Sequence, residues 1–163
     1  MVVPGAPSTA SREPLAPGPD ATCHMATAPL VSTNMRRGLT AVVLAHLGIS
    51  IVHGWAHNGA RVDLSPGAML FVYVVILAGP LAGLVVMRWR ASLGAALVAA
   101  TMTGALLFGV VNHFVIAGSD HVAHVAAAWR PLFGLTAALL ALTEAAAAAM
   151  ALRYARARSW RAS

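Results

Sequence analysis

The chain has no lysine, one cysteine and five acidic residues, and each shortage closes off a class of protein. Cys23 alone can form neither a disulfide framework nor a thiolate metal centre. Charged residues are only 10% of the 163 residues, and the acids stand singly at Glu13, Asp20, Asp63, Asp120 and Glu144, so there is little charge to cover a water-exposed surface. All 11 basic residues are arginine, giving a net charge of +6. Such a balance would suit nucleic acid, but most arginines stand at the ends of apolar runs rather than along one face. They read as topology anchors, and no nucleic-acid partner is expected.

What the chain has in plenty is apolar surface: 59% of residues are hydrophobic and the mean hydropathy is +0.75, beyond the usual share of a soluble domain. Four apolar segments are each long enough for the roughly 20 residues that a bilayer core requires. They are expected as helices over about 39–57, 66–87, 92–117 and 131–152. Ala and Leu dominate and apolar–polar alternation is absent, which argues against strands. Ser65 and Pro66 suit an N-cap and first helical position, and Pro131 suits another start. The expected fold is therefore all-α, an integral membrane four-helix bundle over residues 35–155, with the lipid bilayer as its main partner. A disordered Pro/Ala-rich tail over 1–34 precedes it and a basic tail over 156–163 follows.

The tail lacks the basic start and apolar core of a signal peptide. Met35-Arg36-Arg37 stands directly before the first apolar run, so residues 1–34 are expected to be an upstream extension from a misassigned start. N-terminal sequencing of the native protein that found Met1 or Val2 would dispose of this.

Arg36 and Arg37, Arg88 and Arg90, and the arginines from Arg153 to Arg161 flank the segments on one side. The positive-inside rule makes that side cytoplasmic, with both termini inside. Trp55 and Trp129 then fall at the outer interface, and Trp89 and Trp160 at the inner one. The expected location is a cell membrane, crossed several times, of bacterial cytoplasmic type. Gly79-Pro80-Leu-Ala-Gly83 combines a kink with a small-residue surface suited to close helix approach or to a second copy of the chain. Ala145–Ala149 suits close approach too, and Tyr73 reads as a buried hydroxyl.

Six of the seven histidines lie in two short stretches, His46–His57 and His113–His124. At about 100° per residue, His46, His53 and His57 share one face of the first helix, with Ser50. Counting ~1.5 Å per residue places His46 near mid-membrane and His53, His57 and His113 at the outer end. Gly118 can end the third helix, and Ser119 or Asp120 can cap a short turn carrying His121 and His124. A 67-residue shift that superposes the two stretches conflicts with these depths, so they are not read as a repeat.

Imidazole is a common ligand of Zn, Cu(II) and Fe, and histidines three or four apart present two nitrogens from one helix face. The expected metal set is His53, His57, His113, Asp120, His121 and His124. An alternative is a b-type haem ligated by His57 and His113, with Gly54 and Gly109 admitting the ring. A third reading is a non-catalytic assembly subunit with pH-sensing histidines; nothing in the chain assigns a catalytic residue. His46 and Glu144 fall at similar depth and are expected to form an intramembrane polar pair, with Ser50, Thr101 and Thr103 as other partners for the carboxyl. The His-x-x-x-His and His-x-x-His spacings resemble the first boxes of membrane fatty-acid desaturases and hydroxylases. The further His-x-x-His-His boxes are absent and those boxes face the cytoplasm, so no activity is carried over.

Overall fold

The computed structural model describes residues 20–159, with side chains from residue 33 to residue 157. Residues 1–19 of the expected tail, and residues 160–163 of the basic tail with Trp160, lie outside the described residues. Four long helices account for most of the rest, and there is no strand among the described residues. Helix α1 is Asp20–Ala60, beginning inside the expected tail; its membrane-capable part is Thr33–Ala60. Helices α2 (Pro66–Val86) and α3 (Ala91–Val115) are also long and apolar enough to cross a membrane, as is Arg130–Ala157 of helix α4 (Arg130–Ser159).

Helix α4 is the hub, packing on α1 and on α3, while α2 lies on the far side of α3 and meets α1 chiefly through Gly79–Val86. At the end carrying Arg36, Arg88 and Arg90, one apolar core joins all four helices through residues such as Leu39, Val43, Met87, Val98, Ala147 and Ala151. Between apolar helices in lipid, close packing and dispersion must supply what the hydrophobic effect supplies in water. Glycine provides it here. A Cβ on Gly94 would collide with the Met87 backbone, one on Gly83 would press on Val98, and one on Gly79 would press on Thr101. Gly79 and Gly83 thus pack closely on α3 within the chain.

Two interruptions shape the other end. Pro80 has no N–H for the helical ladder, and the seven residues before Gly79, Val72–Ala78, form a wider π-turn segment. A second π-turn segment, Val111–Val115, carries His113 and closes α3. Ile116 is already extended, at φ −84° and ψ 122°, so the helix ends before the expected Gly118: the wide turn exhausts the ladder first. No residue of Pro66–Phe71 or Val72–Ala78 is buried, whereas Pro80 and Gly83 are. Tyr73 is accordingly 58% exposed, not the buried hydroxyl expected, because the first half of α2 leans on α3 and leaves a gap towards α1.

The caps follow local chemistry. The Ser65 hydroxyl accepts the Ala68 N–H at 3.2 Å with Pro66 next in line, as the sequence implies. Helix α1 ends at Arg61, the one described non-glycine residue with positive φ (55°), and the Val62 N–H reaches back to the His57 carbonyl at 3.0 Å. This is a Schellman-type closure in which an arginine takes the left-handed position glycine usually fills.

Candidate metal centre

His53, His57 and His113 come together at the end of the bundle that carries the α1–α2 and α3–α4 loops. One ligand nitrogen from each lies within 4.8 Å of the others, so the three could hold a metal ion. The rings touch edge to face: His53 is 4.8 Å from His57 and 4.9 Å from His113 between centroids. Phe133, fully buried on α4, lies against all three at 4.8–5.2 Å.

Each imidazole is held from behind. His53 Nδ1 lies 2.8 Å from the Thr136 hydroxyl. With its single proton given to the carbonyl of Leu132 or Phe133, that hydroxyl accepts from His53 Nδ1–H. His57 Nδ1–H donates to the Val62 carbonyl at 3.4 Å, the group that the left-handed turn at Arg61 brings round. His113 Nδ1–H donates to the Asp120 carbonyl at 3.1 Å, and the loop is tied down by Val122 N–H on the His113 carbonyl at 3.0 Å. An imidazole protonated at Nδ1 keeps its lone pair at Nε2. With Nδ1 the protonated nitrogen in each ring, the three Nε2 lone pairs would be free for a metal ion. The Nε2 atoms of His53 and His113 are 3.2 Å apart. Two nitrogens each about 2.05 Å from a tetrahedral ion would be roughly 3.3 Å apart.

Asp120 completes the rim. Its Oδ1 is 3.3 Å from His57 Nε2 and 3.2 Å from His113 Nδ1, yet it is buried and in hydrogen-bond geometry with neither. A buried carboxylate oxygen left over beside imidazole nitrogens is suited to a cation.

Of the six residues expected to ligate, four meet here. His121 and His124 do not join them, because the α3–α4 loop turns them outward. Their rings face each other at 5.2 Å. His124 Nδ1–H donates to the Gly118 carbonyl at 2.8 Å and His121 Nδ1 accepts the Ala123 N–H at 3.2 Å. Their segment is a run of turns rather than a capped helical turn. Thr136 and Phe133 were not anticipated as site residues. The available signal was depth: both stand within two turns of the Pro131 start, at the level of His53 counted from the same end.

Deeper in the bundle, His46 Nε2 lies 4.0 Å from Glu144 Oε1, with both side chains almost fully buried. Of the hydroxyls that competed for this carboxyl, Ser50 is spent on the His46 carbonyl and Thr101 on those of Leu97 and Val98, and Thr103 is exposed. Glu144 Oε2 faces the space that glycine leaves at position 109, which also borders the His113 ring. A cavity of about 420 Å³ runs from Asp120 and the three histidines to Glu144.

Fold and cluster together define an all-α protein with four membrane-capable helices and a three-histidine group able to hold a metal ion. No protein-family model, no curated protein and no solved structure matches the chain.

Proposed function

We propose that the protein is a multi-pass membrane protein that binds one divalent transition metal, zinc foremost, through His53, His57 and His113 at the outer end of its bundle. Asp120 stands beside them as an oxygen donor. The observation that carries this reading is that each Nδ1 lies at hydrogen-bond distance from an acceptor, at Thr136, Val62 and Asp120, since metal-ligating histidines characteristically give their second N–H to such an acceptor. In the absence of thiolates, the nitrogen and oxygen donors suit Zn, Cu(II) or Fe rather than Cu(I). The outer location is supported by Arg36, Arg37, Arg88 and Arg90, all exposed at the opposite end. At the histidine end, Trp55 and Trp129 pack together at 5.4 Å between centroids.

The haem alternative through His57 and His113 is less well supported. Their ring centroids are 5.8 Å apart, and His53 contacts both rings, so a flat macrocycle between them would have to displace it.

Elemental analysis and a visible spectrum of protein purified without chelator test both readings. One equivalent of zinc, copper or iron without a Soret band is expected. A Soret band would favour haem, and protein that holds neither and takes up no added zinc would sink the proposal.

A further inference from the structure

The cavity below the histidines is not a closed packing defect. One wall is the second half of α1 and the facing wall is the first half of α2, including Val72, Tyr73, Ile76 and Leu77. Helix α2 is held against α3 there, with Phe71 stacked on Phe108 at 4.8 Å, and so stands off α1. The result is a wedge that closes where Gly79–Val86 of α2 meets α1 and whose open edge lies between Ile51 (68% exposed) and Tyr73 (58% exposed). At ~1.5 Å per residue, Ile51 and Tyr73 lie roughly 10–14 Å in from the ends of their helices, at the depth of lipid chains rather than head groups. Most polar groups of the lining gather at the histidine end and at Glu144 on the back wall; Val72, Ile76 and Leu77 make the α2 wall apolar, with the Tyr73 hydroxyl as its one polar group and Ser50 facing from α1.

We propose that this wedge is a binding chamber for a single-chain amphiphile from the bilayer, with an oxygen-donor head such as a carboxylate. The head lies at the metal held by His53, His57 and His113, and the apolar chain lies along Val72, Ile76 and Leu77. The proposal rests on the metal reading, and it adds to it both an open coordination position and a route of entry from the side. A ligand from water would meet the loops first. A chain already in the membrane enters through the gap between α1 and α2 without leaving an apolar phase.

The test uses full-length protein in lipid nanodiscs, loaded with cobalt(II), whose visible absorption reports on the coordination shell. The loaded protein is titrated with acetohydroxamic acid and with dodecanohydroxamic acid. The long-chain probe is expected to perturb the spectrum at a concentration at least tenfold lower, since about two buried methylene groups account for a factor of ten. Partition into the bilayer alone would also favour the long chain, so the deciding comparison is with Ile76→Trp, and with Met69→Trp, at another lining residue of the cavity, as a second filled variant. Each variant should keep one cobalt per chain and its response to acetohydroxamic acid while losing the chain-length gain. An undiminished gain in both variants, or a cobalt centre that responds to neither probe, would overturn the chamber and leave the metal site standing. Protein that binds no cobalt would overturn both.

Discussion

The bundle holds a cluster of three imidazoles and, apart from it, the single buried imidazole of His46, and the two are built in opposite ways. Around His53, His57 and His113 every Nδ1 has a partner, supplied by a hydroxyl and two carbonyls from three parts of the chain. At His46, two turns below His53, neither ring nitrogen has a hydrogen bond, and the carboxylate of Glu144 stops 4.0 Å away. A gap of that length is wide for direct contact and suits an intervening water. Burial alone therefore does not distinguish a binding site from a structural or relay pair. The distinction lies in whether the lone pairs left free point at one another.

The largest break in this comparison would come from ligand removal. His53→Ala together with His57→Ala should take metal content from one equivalent to near none by elemental analysis, while His46→Ala should leave it at one. Metal loss from His46→Ala of the same size would mean that the two groups act as one site. Next in size is Thr136→Val, which keeps the shape of the side chain and removes the acceptor behind His53. Zinc affinity by competition with a chelating dye should fall roughly 10–100-fold, and unchanged affinity would show that Thr136 does not orient the ring.

Stability should separate the groups with opposite signs. An unsatisfied buried polar group costs about 1–3 kcal/mol, so His46→Leu should raise the thermal midpoint in detergent. His53→Leu, which strands the hydrogen bond to Thr136 and abolishes metal binding, should lower it. Parallel shifts would show that His46 has a partner. The smallest effect is at Arg61: giving the left-handed position a glycine should stabilise the protein by about 1 kcal/mol with metal affinity unchanged, because the Val62 carbonyl keeps its place.

Much of this was legible in the chain. Apolar length and Arg36, Arg37, Arg88 and Arg90 mark four helices and their ends. Seven- and four-residue spacing puts His46, His53 and His57 on one face, and depth counting joins His113 to the latter two and Glu144 to His46. Other parts were hidden for physical reasons. The acceptors that fix the imidazoles are mostly backbone carbonyls, which every residue has. Thr136 carries no signature beyond its depth. His121 and His124 looked like ligands because spacing says nothing of which way a loop turns. The gap beside Tyr73 opens because the first half of α2 leans on α3, and a hydropathy pattern does not encode which neighbour a helix leans on.

The second π-turn segment makes chain length itself part of the site. Between Val110 and Ile116 the backbone holds the surplus of a wide turn. Deleting one residue there would let an ordinary α-helix run through, which by composition alone is a conservative change. It would also close the wide turn that carries His113, moving that ring relative to the Asp120 carbonyl that its Nδ1 meets. Insertions and deletions in this short apolar run should therefore be tolerated far less well than substitutions of one aliphatic residue for another.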